Sequence, residues 1–538
     1  MKNKVITKLG FGILVAFLMV NCTDDFTELN SDPKNFTEDA VTQSEYPLFV
    51  RRALYTPNYL PFENPNQGGD ARGSFQLGHS LFSDVYANYF ATTAAFFFSD
   101  QFRLEGSWLN GAYRYFYTQA APNIKIAEDT AAELGFDLEN AMMKVWRVYA
   151  YHRVTDYWGP IPYSNFGNLE STVPYDSQEA IYNDFFTSLD EAVAVLKANA
   201  GGTSFLGGDD IIYSGSVDAW IKFASSLRLR LALRVKYVEP GKAQTEAEKA
   251  IADGVMLGNA DNAVLSTNSS FRNHYTTITQ WGEFRMSADM ESILKGYQDP
   301  RVASYFAEAG TPDPTDDPAG VVFNYEGMRN GQSTSDKQGT DFNNLTSDMA
   351  GPFTTPDSPG PAVAVIRSAE VFFLRAEGAL EGWAMGGTAV DLYNQGIVAS
   401  HEEHGFSGTD LSGNDYVTST NVPAAADASN PPVSTVPVAY NAAGTMEEQL
   451  EQIITQKWIA LYPDSEEAYA ERRRTGYPTL YNRLNSVNVN IAVDELPRRM
   501  TYVSSEYADN LSAVEESVNT LLGGPDLGTT KLWWDKKN

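Results

Sequence analysis

Cysteine is nearly absent from this chain: Cys22 stands alone among 538 residues. One thiol excludes an intramolecular disulfide and a thiolate metal centre, so stability must come from packing. Positive charge is also short. Lys and Arg number 39 against 69 Asp and Glu, giving a formal charge of −30 and a pI near 4.5. Such a surface repels phosphate backbones, which excludes nucleic acid as a partner. Beyond residue 20, no apolar run approaches the ~18 residues of a membrane-spanning helix. Neither a GxSxG turn nor a phosphate-binding loop occurs. What is present, 43% hydrophobic and 12% aromatic residues, describes a folded globular chain with room for one large or two ordinary domains.

The position of the single cysteine is informative. Lys2, Lys4 and Lys8 precede the apolar stretch Leu9 to Val20, which is too short to span a bilayer, and Cys22 follows it, trailed by Thr23, Asp24 and Asp25. This order resembles a bacterial lipoprotein signal, although Asn21 departs from the small residue usual before the cysteine. The resemblance implies a signal peptide over residues 1–21, lipidation at Cys22, and a polar tether over 22–45 leading to a domain over 46–538.

Helical patterning dominates that domain. Ile181, Phe185, Leu189, Ala192 and Leu196 recur at helix-face spacing, with Ser177 as a start signal. Trp220, Phe223, Leu227, Leu231 and Val235 do the same, opposite a basic side of Lys222, Arg228, Arg230, Arg234 and Lys236. In so acidic a chain that side is expected to meet neighbouring carboxylates. Further helices are predicted from Ala369 to Trp383, Ala389 to His404 and Met446 to Leu461, the first two joined at Gly386-Gly387. Helix pairs closed by short glycine turns look like tetratricopeptide units, but irregular spacing and long insertions (312–362 and 407–445) exclude a regular solenoid.

Six stretches carry a wider resemblance: VTDYWGPIPYSNFGN at 154–168, DIIYSGSVDAWIKFASSLRLRLALRV at 210–235, YQDPRVASYF at 297–306, EQIITQKWIALYPDSEEAYAERRRTGYP at 451–478, LPRRMTYVSSEY at 496–507 and KLWWD at 531–535. In this order, after a lipoprotein signal, they look like the SusD/RagB family of Bacteroidetes nutrient-binding outer-membrane lipoproteins. The resemblance implies a mostly α fold, with tetratricopeptide-like helix pairs, long irregular loops and few short strands. It also implies a lipid-anchored, cell-surface protein without catalysis. Such a protein captures oligosaccharide, or in some members peptide, for a SusC-like TonB-dependent transporter in the outer membrane. The motifs themselves are mainly scaffold, and Tyr157, Trp158, Pro160, Pro162, Tyr163 and Arg472 to Arg474 are assigned to packing.

Sugar binding without catalysis calls for flat aromatic faces ringed by hydrogen-bonding side chains. Residues 86–117 hold 12 aromatics in 32 positions, and the polar turn at 99–110 brings Arg103 and Trp108 into question as ligand contacts. The second candidate stretch, 269–290, offers His274, Tyr275, Gln280, Trp281 and Arg285, with Trp281 beside Gly282 as the leading choice. The loop 55–73 offers Asn66, Asp70 and Arg72. His401 and His404 in HEEH lack the spacing of a zinc helix, and Asp313, Asp316 and Asp317 lack that of a calcium loop, so neither a metal nor a cofactor is expected. The expected ligand is a neutral glycan such as a glucan or mannan; the alternatives are a peptide, or catalysis by a secreted helical glycoside hydrolase.

Overall fold

The computed structural model describes residues 42–60, 71–168, 170, 172–356 and 358–537. Two compact units divide the chain, 1–47 and 48–538. In the first, the described residues are a turn running into a helix.

Among the described residues, nine long helices build the scaffold: α1 Ala121–Leu134, α2 Asp137–Trp158, α3 Gln178–Ala198, α4 Val217–Arg234, α5 Pro240–Asp253, α6 Ser368–Leu380, α7 Ala389–Glu403, α8 Met446–Leu461 and α9 Ser465–Thr475. Each packs on its neighbour in the sequence from α1 to α5 and again from α6 to α7, while α6 also packs on α4 and α8. The termini follow local chemistry. Ser177 Oγ accepts the Ala180 N–H to start α3, and Thr445 with Glu448 forms a capping box at α8. Gly135, at φ +71°, closes α1 and turns the chain into α2 in a left-handed step that a Cβ disfavours. Helix α6 ends at Leu380, short of Trp383, because residues 381–382 form a turn in which Gly382 takes φ +83°.

Helix α4 differs from the expected one-faced helix. Its apolar face is buried, yet Arg228, Arg230 and Arg234 on the other side are also fully buried. Their carboxylate partners come from surrounding helices. Arg230 forms a bidentate pair with Glu370 at 2.6 and 2.8 Å. Arg234 meets Glu467 at 2.6 Å, and Arg228 pairs with Asp190 and Glu246. The network continues through Arg474, which bridges Glu377 and Glu471, each at 2.6 Å. These charges fix α4, α6 and α9 against one another. Removing a single partner would strand a buried charge.

Most of the motif residues assigned to packing are buried, whereas Arg472 is half-buried at the edge of a cleft. Tyr157 donates to the Gly78 carbonyl, Trp158 Nε1 to that of Thr501, and Arg473 to those of Asp156 and Arg498. Strands are few and short among the described residues. β1 (Phe90–Thr92) pairs antiparallel with β3 (Phe284–Met286), and β2 (Ala263–Leu265) with β4 (Val363–Ile366). No described helix is long and apolar enough to cross a membrane.

Candidate functional site

The β1–β3 ribbon positions the site. Its register sets Thr92 opposite Phe284, and the pairing continues one step as the Thr93 N–H donates to the Glu283 carbonyl at 2.9 Å. Thr93 Oγ1 then donates to the Gly282 carbonyl at 2.6 Å. The chain just before β3 is a tight turn, Thr279–Trp281, ended by Gly282 at φ +64°. A Cβ at Gly282 would also meet the Asn343 side chain at 3.1 Å. Glycine here lets the turn close onto Asn343 and leaves Trp281 outside, 45% exposed.

Across a hollow of about 270 Å³ stands Phe96, 61% exposed. The hollow is edged by Glu283, Lys337, Asp341 and Asn343. Phe96 is braced from below: its ring meets Phe97 edge-on at 4.5 Å, and Phe97 meets Trp108 edge-on at 5.6 Å and stacks on Phe284 at 6.1 Å. Lys337 is buried behind the hollow, and its Nζ donates to Thr92 Oγ1 at 2.6 Å. Burial lowers its pKa, with Asp100 opposing. The result is an aromatic shelf with a hydrogen-bonding edge, suited to the apolar face of a ring and the hydroxyls around it.

The residues singled out by sequence fall into three places. Trp281 lies on the shelf, with Trp108 half-buried beneath it and Gln280 alongside, exposed, donating to the Thr354 carbonyl at 2.6 Å. Arg103 is exposed and lies over the Phe98 ring at 4.4 Å. His274, Tyr275 and Arg285 are buried. Arg285 faces Asp348 at 3.5 Å and donates to the Phe284 carbonyl, while His274 contacts the Tyr59 carbonyl. Cys22, Asn66 and Asp70 lie outside the described residues. Arg72 lies in a described helix turn, Ala71–Phe75, but its side chain is not among the described ones. Phe96 was missed. Its signal was the run Phe96-Phe97-Phe98 flanked by short side chains, since three successive rings cannot all face one core.

His274 and Tyr275 instead line a separate cavity of about 540 Å³, shared with Asn58, Arg153, His404 and Asp464 and reaching the surface at Gly351, Pro352 and Ala362. Tyr275 donates to both Asp84 oxygens at 3.0 Å. His79 lies between Asp84 and Glu466, at 3.6 and 3.5 Å. Burial opposes its charge, but the two carboxylates raise its pKa. The HEEH histidines do not converge: His401 packs on Tyr416 and His404 on Tyr305. Burial holds their pKa values down at about 4 and about 3, so both are neutral.

The family is decided by a match that runs nearly the length of the chain, in which residues 28–535 fit the SusD-like family, described as Susd and RagB outer membrane lipoprotein. The chain belongs to the SusD-like family. Its members bind ligand without catalysis, so this SusD-like protein is not an enzyme. Among solved structures it is similar to a chitin-binding SusD homologue from Flavobacterium johnsoniae, at 37% identity and TM-score 0.79, over 91% of this chain and 98% of that one. A SusD homologue from Bacteroides uniformis is 31% identical, with TM-score 0.77 over 92% of this chain and 100% of its own. One from Bacteroides thetaiotaomicron is 30% identical, with TM-score 0.77 over 92% and 99%. Comparison with curated proteins gave no match. The mostly helical architecture with few short strands is that of the SusD homologues.

Proposed function

We propose that this SusD-like protein captures a neutral oligosaccharide on the shelf formed by Trp281 and Phe96. The carrying observation is the pair of exposed rings lining one hollow whose edge holds Asp341, Asn343 and Glu283. Stacking supplies orientation-tolerant affinity, and the polar edge reads hydroxyls. A shallow hollow buries little ligand, so the affinity is modest and rises with chain length as more rings contact protein. The chitin-binding relative directs attention to chito-oligosaccharides beside glucan and mannan, all of them neutral. The peptide reading loses ground for the same reason.

The wider role follows from the family and from the N-terminus. Cleavage before Cys22 and lipidation of its thiol would tether the domain by residues 22–45 to the outer membrane, facing outward, where it passes glycan to a SusC-like TonB-dependent transporter. The first experiment is affinity electrophoresis of the purified protein through chitosan-free glycol chitin, glucan, mannan and an acidic polysaccharide. Retardation by one neutral glycan, abolished by Trp281→Ala and unaccompanied by new reducing ends, supports the reading. No retardation by any neutral glycan refutes it. For the tether, Cys22→Ser should move the protein from the membrane to the soluble fraction and abolish labelling with radioactive palmitate.

A further inference from the structure

A second cleft, of about 380 Å³, lies apart from the shelf residues and is lined by Arg472, Arg483, Arg498 and Lys531. Four cationic side chains around one hollow are unusual in a chain of net charge −30. Their hydrogen bonds go mainly to neutral acceptors, the Val85 carbonyl for Arg483 among them, and their ion pairs are few among the described residues. Arg472 forms no ion pair among the described residues; its Nη1 donates to the Tyr86 carbonyl and to Asn88 Oδ1, both at 3.0 Å. Arg483 Nη1 donates to that same Asn88 oxygen at 2.8 Å. Two guanidinium groups therefore share one neutral acceptor, which brings like charges together in a poorly solvated place. Arg483 has Asp100 at 3.9 Å, but Lys337 also draws on that carboxylate at 3.8 Å. Arg498 has Asp535 at 3.4 Å and donates to the Arg473 carbonyl at 3.2 Å, and Lys531 Nζ donates to the Lys537 carbonyl at 3.4 Å.

The acids nearby match the cations in number, but among the described residues none of them forms an ion pair with Arg472. Asp289 reaches the Arg472 side of the cleft, yet its carboxylate is occupied by Asn88 Nδ2 at 2.8 Å and the Tyr481 N–H at 2.6 Å. Asp494 and Glu495 sit on the exposed rim and form no ion pair among the described residues. Burial, then the neighbouring Arg483, pushes the Arg472 pKa down to about 10, with Asp289 opposing.

We propose that this cleft is an oxyanion site that takes the carboxylate or sulfate of a small acidic ligand. Guanidinium forks match planar carboxylate and tetrahedral sulfate through paired N–H bonds, and an anion would relieve the Arg472–Arg483 repulsion. The space fits a ligand the size of an acidic monosaccharide. Size is limited by charge as well: the rim acids Asp494 and Glu495 and the acidic surface beyond them leave room for one negative group at the guanidinium forks but repel a long polyanion. This site does not depend on the shelf.

Isothermal titration of the purified full chain with sodium glucuronate, sodium sulfate and glucose, at constant ionic strength, tests it. We expect saturable heat from at least one anion and none from glucose. Lys531→Gln, at an exposed position, should weaken that binding about tenfold, and Arg498→Gln more. Trp281→Ala should leave it unchanged. Tighter binding of glucuronate than of sulfate would identify a sugar acid as the ligand, and equal binding a simple oxyanion. Absence of saturable heat from both anions overturns the proposal. So does an affinity that Lys531→Gln and Arg498→Gln both leave unchanged while melting at the wild-type temperature.

Discussion

Trp281 is kept outside the body by its neighbours, chiefly by the left-handed step at Gly282 and the contact of that step with Asn343. Its indole therefore has little packing to lose. Trp281→Ala should leave the melting temperature within a degree or two but weaken glycan binding about tenfold or more, the cost of truncating an aromatic anchor. Trp108 makes the contrasting case. Half-buried against Phe97, it braces the shelf, so Trp108→Ala should cost about 2 kcal/mol of stability and weaken binding only through a loosened Phe96. Thermal denaturation and affinity electrophoresis on the two variants separate these roles; a large loss of stability in Trp281→Ala would contradict the shelf. Trp281 was legible because a tryptophan beside glycine in a polar stretch has no periodic face to join. His274 and Tyr275 share that stretch, but they open a short helix, Tyr275–Ile278, and turn inward, which residue type alone does not reveal.

Among the helices, the pattern of apolar residues placed α3, α4, α7 and α8 well, because each presents a helical stripe to the core. The expected pairing of the basic side of α4 with carboxylates is present, but the pattern did not reveal that Arg228, Arg230 and Arg234 are fully buried. That burial depends on α6 and α9, far along the chain, and no local pattern names those partners. Glu377 on α6 is the clearest member. Burial opposes its charge, but Arg474 and Lys236 more than offset this and hold its pKa at about 2, against an ordinary 4.5. A carboxyl with a depressed folded pKa adds stability that is complete above about pH 4.5 and is lost as pH falls through about 2. Glu377→Gln should therefore cost about 3 kcal/mol at pH 7, with the gap between variant and wild type shrinking below pH 4.5. Urea unfolding at pH 7, 5, 4 and 3 measures that gap. A gap constant down to pH 3 would show that the carboxylate charge contributes nothing. Glu370 in the same network has the opposite sign: burial raises its pKa despite Arg230, so its ionised form costs stability that protonation relieves.

For the whole molecule, the family motifs carried the fold, since six short stretches in order specify an arrangement that helix periodicity alone leaves open. The candidate shelf was less legible, because the loops that build it bring together residues far apart in sequence, as Phe96 with Trp281. Charge is a property of the whole chain, and its distribution has a consequence. Arg230, Arg234, Arg301 and Arg474 are buried against carboxylates, so much of the positive charge is internal, while exposed acids remain to repel one another across the surface. Surface repulsion is screened over a Debye length of about 10 Å at 0.1 M salt, whereas buried pairs are screened far less. Added NaCl should therefore relieve the repulsion without loosening the interior network. The melting temperature at pH 7 should rise by a few degrees between about 10 and 300 mM NaCl. Glu377→Gln should show the same rise, because its missing pair is internal. A fall in wild-type melting temperature with salt would mean that exposed ion pairs, such as Lys144 with Glu191, outweigh the repulsion among the acids.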